Sequence, residues 1–383
     1  MDILGDTECR NTLAKKSIAI LPSAQKFNIR RFTLYASRME NNDLPGINRK
    51  NVTGWLTERS EVTGKIHFDV VTHGRSNLTY KLEDEAGRKW ILRRPPTGHI
   101  LASAHDMGRE HKIISALGPS NVPVPGIVGM CIDENVTAAP FFVMDFVEGS
   151  IIKDRIDAQS FSPDERKIQS ISLVETLATL HEVDPESVGL GDLGKREDYI
   201  GRQLRRWKRQ VDEGSDREMP LFYELHKRLE KCVPDQEGYG ITHGDYRLDN
   251  CMIGANNHVA AVLDWELCTL GDVLADLGGM LMWWGERGTS DSLIMSDAPT
   301  LAKGYISPEM VAERYQAASG RDLSNLPFYV AFQFWRLAAI TEGVRVRFTA
   351  GAMGNKDIGD EMEGFNSRID ALLEASNTKL KEL

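Results

Sequence analysis

Residues 66–71 alternate, with Ile66, Phe68 and Val70 on one face, and this two-residue period predicts a strand. A turn at His73-Gly74-Arg75-Ser76-Asn77 leads to a return strand over 78–82. A second turn, 83–88 with Gly87, precedes a third strand over 89–93, which Pro95 and Pro96 stop. Helical spacing over 103–117 ends at Gly118-Pro119. Residues 122–125 read as extended, and 127–132 and 141–146 as two more strands. A short helix is expected over 51–58. The first part of the chain is therefore a small antiparallel sheet with one helix inserted after the third strand.

After Gly149 the period changes. Ile171, Val174, Leu177, Ala178 and Leu180 share one helical face within 169–181. Further helices are expected over 199–211, 221–233, 272–283, 308–318, 328–348 and 361–383. Residues 239–253 read as loop with a short strand, and 259–264 as an apolar strand. The expected organisation is α+β: an extension over 1–43, a sheet domain over 44–149 and a helical domain over 150–383. No internal repeat or low-complexity segment is visible.

Composition narrows this modestly. A chain of 383 residues suits two lobes or domains. The net charge of −10 argues against a general nucleic-acid surface. Five scattered cysteines, without a C-x-x-C pair, read as a reduced set. The apolar runs 259–263 and 278–284 are too short to span a bilayer, so no membrane partner is expected. The expected compartment is the cytoplasm. From Cys9 to Met39 there are seven Lys or Arg residues and no Asp or Glu, a composition that mitochondrial targeting segments share. Asp2, Asp6, Glu8 and Pro22 interrupt that reading. A disordered extension, or a translation start at Met39, is the expectation for residues 1–43, with mitochondrial targeting as the alternative.

The candidate chemistry lies in His243-Gly244-Asp245-Tyr246-Arg247-Leu248-Asp249-Asn250, followed by Val262-Leu263-Asp264-Trp265-Glu266. Phosphoryl transfer to a hydroxyl needs a carboxylate to take the proton, oxygen ligands for Mg²⁺ and a cation near the transferred group. Asp245 and Asn250 are spaced as in the H-x-D-x-x-x-x-N catalytic loop, and Asp264 stands where D-F-G has its Asp. The expected roles are Asp245 as base, Asn250 and Asp264 as metal ligands, and Arg247 beside the transferred phosphate. Each residue alone has an ordinary structural reading; order, spacing and strand context together do not. His243 is expected to hold the loop through a hydrogen bond, and Asp249 to be solvated or structural.

These segments, with Gly271-Asp272-Val273-Leu274-Ala275-Asp276-Leu277-Gly278, resemble the aminoglycoside phosphotransferase (choline-kinase-related) family across about residues 65–350. Gly74-Arg75-Ser76-Asn77-Leu78-Thr79-Tyr80 and Leu92-Arg93-Arg94-Pro95-Pro96 are similar to the branch related to the kinase-like domain of acyl-CoA dehydrogenase family members. The resemblance implies a two-lobed, protein-kinase-like α+β fold with a nucleotide in the cleft: ATP, with GTP left open, together with Mg²⁺. It implies that Ser76 and Asn77 belong to the phosphate-covering turn. Arg93 takes the strand-three lysine position, with Arg94 as the alternative by one register step. Glu110 pairs with that cation, and adenine meets the backbone near Asp145 and Val147. Asp272 reads as a helix cap and Asp276 as a brace for the catalytic loop. Trp283, Trp284 and Trp335 read as core, or as acceptor-pocket wall.

The expected partner is a small-molecule hydroxyl acceptor, with the oligomeric state open. Arg336, Arg345 and Arg347, on the presumed acceptor side, favour a hydroxy acid or hydroxyacyl-CoA over a polycationic aminoglycoside. The competing reading is a pseudokinase-like module that binds nucleotide without turnover. A protein kinase is disfavoured, because no A-P-E segment follows Asp264.

Overall fold

Alternate burial along β2 (Leu78–Glu83) and β3 (Lys89–Arg94) puts Leu78, Tyr80, Leu82, Trp90 and Leu92 on one covered face of a five-stranded antiparallel sheet. The computed structural model describes residues 44–72, 77–97, 106–236, 239–285, 297–349 and 359–383. The expectations for residues 1–43 and for the turn 73–76, Ser76 included, lie outside them. The sheet, ordered β1-β2-β3-β5-β4, is completed by β1 (His67–Thr72), β4 (Ile127–Cys131) and β5 (Phe141–Asp145). Helix α1 (Arg49–Thr57) packs Val52, Trp55 and Leu56 on the covered face, with the Trp55 ring 5.1 Å from Phe141. Helix α2 (Met107–Leu117) stands between β3 and β4 in the chain and is capped by Asp106.

Beyond the sheet the chain is mostly helical: α3 (Arg155–Ala158), α4 (Pro163–Glu182), α5 (Tyr199–Gly214), α6 (Pro220–Lys231), α7 (Leu274–Trp284), α8 (Pro308–Ser319), α9 (Leu326–Thr349) and α10 (Gly359–Lys379). Helix α4 starts six residues before the expected Gln169. Ser162 and Glu165 close a reciprocal capping box, and Pro163 occupies the first turn. Its first turns bury the polar residues Arg166, Gln169 and Ser170, which an apolar-face reading passes over. Trp335 of α9 is fully buried and stacks on Phe222 of α6 at 4.6 Å, and Trp284 is buried too, so both belong to the core.

Two small antiparallel ribbons sit among the helices: β6 (Gly240–Thr242) with β9 (Thr269–Gly271), and β7 (Cys251–Ile253) with β8 (Val259–Val262). Strand β9 was not expected. The passage from sheet to helices is stitched to β7. The Ser150 N–H donates to Ile253 O at 2.8 Å, and the Ile253 N–H donates back to Ser150 O at 2.9 Å. Gly149 is required there, since a Cβ would lie 2.5 Å from Ile253 O. Among the described residues, no helix is long and apolar enough to cross a membrane, and Cys131, Cys232, Cys251 and Cys268 are free thiols.

Candidate active site

The ribbons end where the candidate residues begin. His243 follows β6, Asn250 precedes β7 and Asp264 lies two residues past β8. The Leu263 N–H donates to Asn250 O at 2.8 Å, and His243 Nε2 donates to Leu263 O at 2.9 Å, so the loop and the Asp264 turn form one unit. His243 is fully buried and meets the Trp265 ring at 4.8 Å. Its Nδ1 accepts from the Asp245 N–H at 3.3 Å, the structural role expected for it. Tyr246 donates its hydroxyl to Leu173 O of α4 at 2.8 Å, anchoring the loop from below.

Asn250 Nδ2 donates to the Asp245 carbonyl at 2.8 Å and to its carboxylate Oδ2 at 3.0 Å. Arg247 Nε lies 3.3 Å from Asp245 Oδ2 and 3.0 Å from Asp249 Oδ1. Asp249 is thus an ion-pair partner of Arg247, and burial raises its pKa against that pairing. The Arg247 guanidinium also lies over the Trp283 ring at 4.5 Å, so Trp283, partly buried against the helical core, also borders the loop.

The register of β3 separates the two arginines. With a period of two, Arg94 falls on the covered face, buried against Gly46 O and donating to Pro95 O at 3.1 Å. Arg93 falls on the other face. Its Nη1 lies 3.3 Å from Glu110 Oε1 and its Nη2 3.7 Å from Asp264 Oδ1. Glu110 is 2% exposed, and its carboxyl oxygens accept no hydrogen bond. Burial pushes it up to about 7, against the pull of Arg93, with Asp264 and Glu266 adding repulsion. Burial raises Glu266 as well, and Asp264 adds to that.

Asp264 adopts a left-handed backbone, φ 65° and ψ 65°, and its buried Oδ1 accepts no hydrogen bond. The amide nitrogen of Asn250 is spent on Asp245. The oxygens left on Asn250 and Asp264 are hard donors of the kind Mg²⁺ takes beside phosphates. Among the described residues no three His, Cys, Asp or Glu side chains gather as a metal cage.

The remaining expectations divide. Asn77 is buried just before β2. Val147 is half-buried after β5. The Asp145 N–H is already spent on Gly126 O at 2.8 Å, so that residue offers an adenine only its carbonyl. Asp276 behaves as the expected brace: its carboxylate accepts from the His243 N–H and, at 2.9 Å, from the Gly244 N–H. Asp272 precedes Val273, the N-cap of α7; its Oδ1 accepts from the Leu274 N–H at 3.1 Å and its Oδ2 from the Tyr329 hydroxyl, so it supports the start of the helix without being the cap residue. Arg345 corrects its expectation. It is 5% exposed and paired with Glu342 and Asp216, so it is structural and not an acceptor contact. Arg336 donates through both Nη atoms to Gly244 O at 3.3 Å, a place in the loop that spacing did not reveal.

Residues 67–328 match the phosphotransferase enzyme family. The chain is 34% identical to mouse acyl-CoA dehydrogenase family member 10 over 292 residues, which is 76% of this chain and 27% of that protein. It is 31% identical to rat acyl-CoA dehydrogenase family member 11 over 354 residues, 90% of this chain and 42% of the relative. The chain thus spans less than half the length of these relatives. A Ralstonia eutropha protein provisionally named an aminoglycoside phosphotransferase superposes with a TM-score of 0.72 at 28% identity, covering 86% of this chain and 98% of its own. An aminoglycoside phosphotransferase solved with AMP-PNP and hygromycin B superposes at 0.56 with 14% identity, over 85% of this chain and 98% of its own, and shares the fold.

Proposed function

Because the chain belongs to the phosphotransferase enzyme family, we propose that it transfers the terminal phosphoryl group of ATP, with Mg²⁺, to a hydroxyl on a small molecule. The observation that carries this reading is the contact of Asn250 with the Asp245 carboxylate, in a loop tied to Asp264, which faces Arg93. Asp245 takes the proton of the acceptor hydroxyl. Asn250 and Asp264 hold the metal, which when bound neutralises charge on the phosphates. Arg93, oriented by Glu110, offers a planar fork of donors to phosphate oxygens. Arg247 supplies positive charge beside Asp245. The Asp145 carbonyl and the Val147 backbone receive the adenine.

For the acceptor we favour a hydroxy acid or a hydroxyacyl-CoA. Arg247 lies over Trp283 next to Asp245, a cationic and aromatic wall suited to an acyl or anionic group. A polycation would need free carboxylates there, and those of Asp245 and Asp249 already face Arg247. The test is to incubate the protein with Mg-ATP and hydroxy acids, hydroxyacyl-CoA compounds and aminoglycosides, and to seek phosphorylated product by mass spectrometry. Phosphorylated hydroxy acid or hydroxyacyl-CoA is expected. Tight Mg-ATP binding with no phosphorylated acceptor would establish a nucleotide-binding module instead.

A further inference from the structure

In a chain whose net charge is −10, arginines gather around the loop that carries Asp245. Arg206 of α5 lies over the Trp207 ring at 5.2 Å, and Arg336 of α9 lies over the same ring at 5.7 Å. One indole thus meets both guanidinium groups. Arg336 also donates to the carbonyl of Gly244, just before Asp245, and to Gln333 Oε1 at 3.0 Å. Arg247, two residues after Asp245, lies over Trp283. Arg368 of α10 is half-buried; burial first, and then the charge of Arg247, press its pKa down. Positive charge therefore reaches the loop on both sides of the candidate base.

These charges are unequally balanced. Arg247 has Asp245 and Asp249, and elsewhere on α5 Arg205 pairs with Asp198 and Lys208 with Asp212. Among the described residues, Arg206, Arg336 and Arg368 have no carboxylate partner, and the buried Nε atoms of Arg336 and Arg368 donate to nothing. An exposed cation–π contact contributes about 0.5–1 kcal/mol, which accounts for Arg206 as packing. It does not account for Arg368. A half-buried guanidinium without a counter-ion, beside a second positive charge, costs the free protein stability. An entering oxyanion removes that cost. Guanidinium forks take carboxylate or phosphate oxygens in pairs, and the Trp207 and Trp283 rings offer apolar contact beside them.

We propose that Arg336, Arg368 and Arg206 form an oxyanion site beside the catalytic loop, which binds a carboxylate or phosphate group of the acceptor and so presents its hydroxyl to Asp245. Arg336 is the inner member, at the Gly244 carbonyl, and the exposed Arg206 is the outer one. The inference rests on the phosphotransferase reading for calling the bound molecule the acceptor; the binding itself is measured without turnover.

The probes are short-chain hydroxy acids, their neutral amides, their coenzyme A thioesters and free coenzyme A. Each is titrated by calorimetry into protein holding excess Mg-AMP-PNP, which keeps adenine-bearing probes out of the nucleotide cleft. Acids or thioesters should bind, amides should not, and affinity should fall as salt is raised. Arg368→Met should weaken that binding at least about tenfold. Its ligand-free melting temperature should hold or rise, because an unpaired charge has gone; a purely structural arginine would lower it. Arg205→Gln, an equal loss of charge on α5, should bind as wild type. Binding of the acid but not of free coenzyme A identifies the oxyanion as carboxylate. Binding of free coenzyme A, weakened in Arg206→Gln, identifies it as phosphate. Equal affinity for acid and amide, no binding of any of these anions, or wild-type affinity in a folded Arg368→Met would overturn the proposal. Should Arg368→Met fail to fold, Arg368→Lys decides in its place, since it keeps the charge and gives up the fork: weakened binding supports the site, and wild-type binding refutes it. Binding with these signatures but no phosphorylated acceptor counts against the phosphotransferase reading and leaves the site standing. Phosphorylation of neutral acceptors, indifferent to the arginine variants, does the reverse.

Discussion

Asn250 donates one amide group to both the carbonyl and the carboxylate of Asp245, at 2.8 and 3.0 Å. A candidate metal ligand therefore also orients the candidate base. Asn250→Asp puts a carboxylate where the donor was, facing Asp245. Turnover of Mg-ATP should fall at least a hundredfold, and the melting temperature should drop, since the lost pair of hydrogen bonds becomes repulsion. Wild-type melting in Asn250→Asp would show that the tie contributes nothing to the fold.

Asp245→Asn keeps the shape and removes the proton acceptor. Phosphoryl transfer should fall by about 10²- to 10⁴-fold, with nucleotide affinity within a few-fold of wild type. Product formation by single-turnover mass spectrometry, set beside ATP titration, separates these effects. Near-normal transfer would remove Asp245 from the role of base.

Asp264→Asn tolerates the left-handed backbone and removes one negative charge. In the wild type, ATP should raise the melting temperature more with Mg²⁺ than with a chelator present. In the variant that difference should shrink to near zero. An undiminished Mg²⁺ dependence would place the metal elsewhere.

Glu110 makes stability depend on pH. Its folded pKa of about 7 lies above the ordinary 4.5. The folded state therefore holds the proton over a range where the unfolded chain has lost it. This contribution is fully present below pH 4.5 and is lost as pH rises through 7, by about 3 kcal/mol. Glu110→Gln should flatten that part of the stability curve, measured by urea unfolding from pH 4.5 to 7.5. A slope equal to wild type would mean that the carboxyl is solvated in the folded protein.

Arg345→Met takes one partner from buried Glu342, which keeps Arg217 at 3.4 Å and the Ser215 hydroxyl at 2.6 Å. A cost of about 1.5–3 kcal/mol is expected, with no change in acceptor KM. A raised KM at unaltered stability would return Arg345 to the acceptor side.

Much of this architecture was legible in the chain, for identifiable reasons. The five-stranded sheet announced itself because alternate residues such as Leu78, Tyr80 and Leu82 enter one core. The start of α4 did not, because Arg166, Gln169, Ser170 and Ser172 are buried polar residues that blur an apolar face. The capping box at Ser162 and Glu165 was the available signal. Strands β6 and β9 are three residues each, too short for alternation to register. Spacing placed Asp245, Asn250 and Asp264 in one region of the fold because that loop is locally encoded. The choice between Arg93 and Arg94 needed the sheet, since only the covering of one face by Gly46 and α1 tells the two sides apart.

The left-handed turn at Asp264 has an evolutionary consequence. A non-glycine residue in that conformation costs roughly 1–2 kcal/mol, and its buried Oδ1 takes no hydrogen bond in return. Selection for robustness alone should therefore drift toward glycine at 264, gaining heat tolerance and discarding the carboxylate. Passaging a gene library under thermal challenge, with and without demand for activity, would show at this one codon which pressure the sequence has been answering.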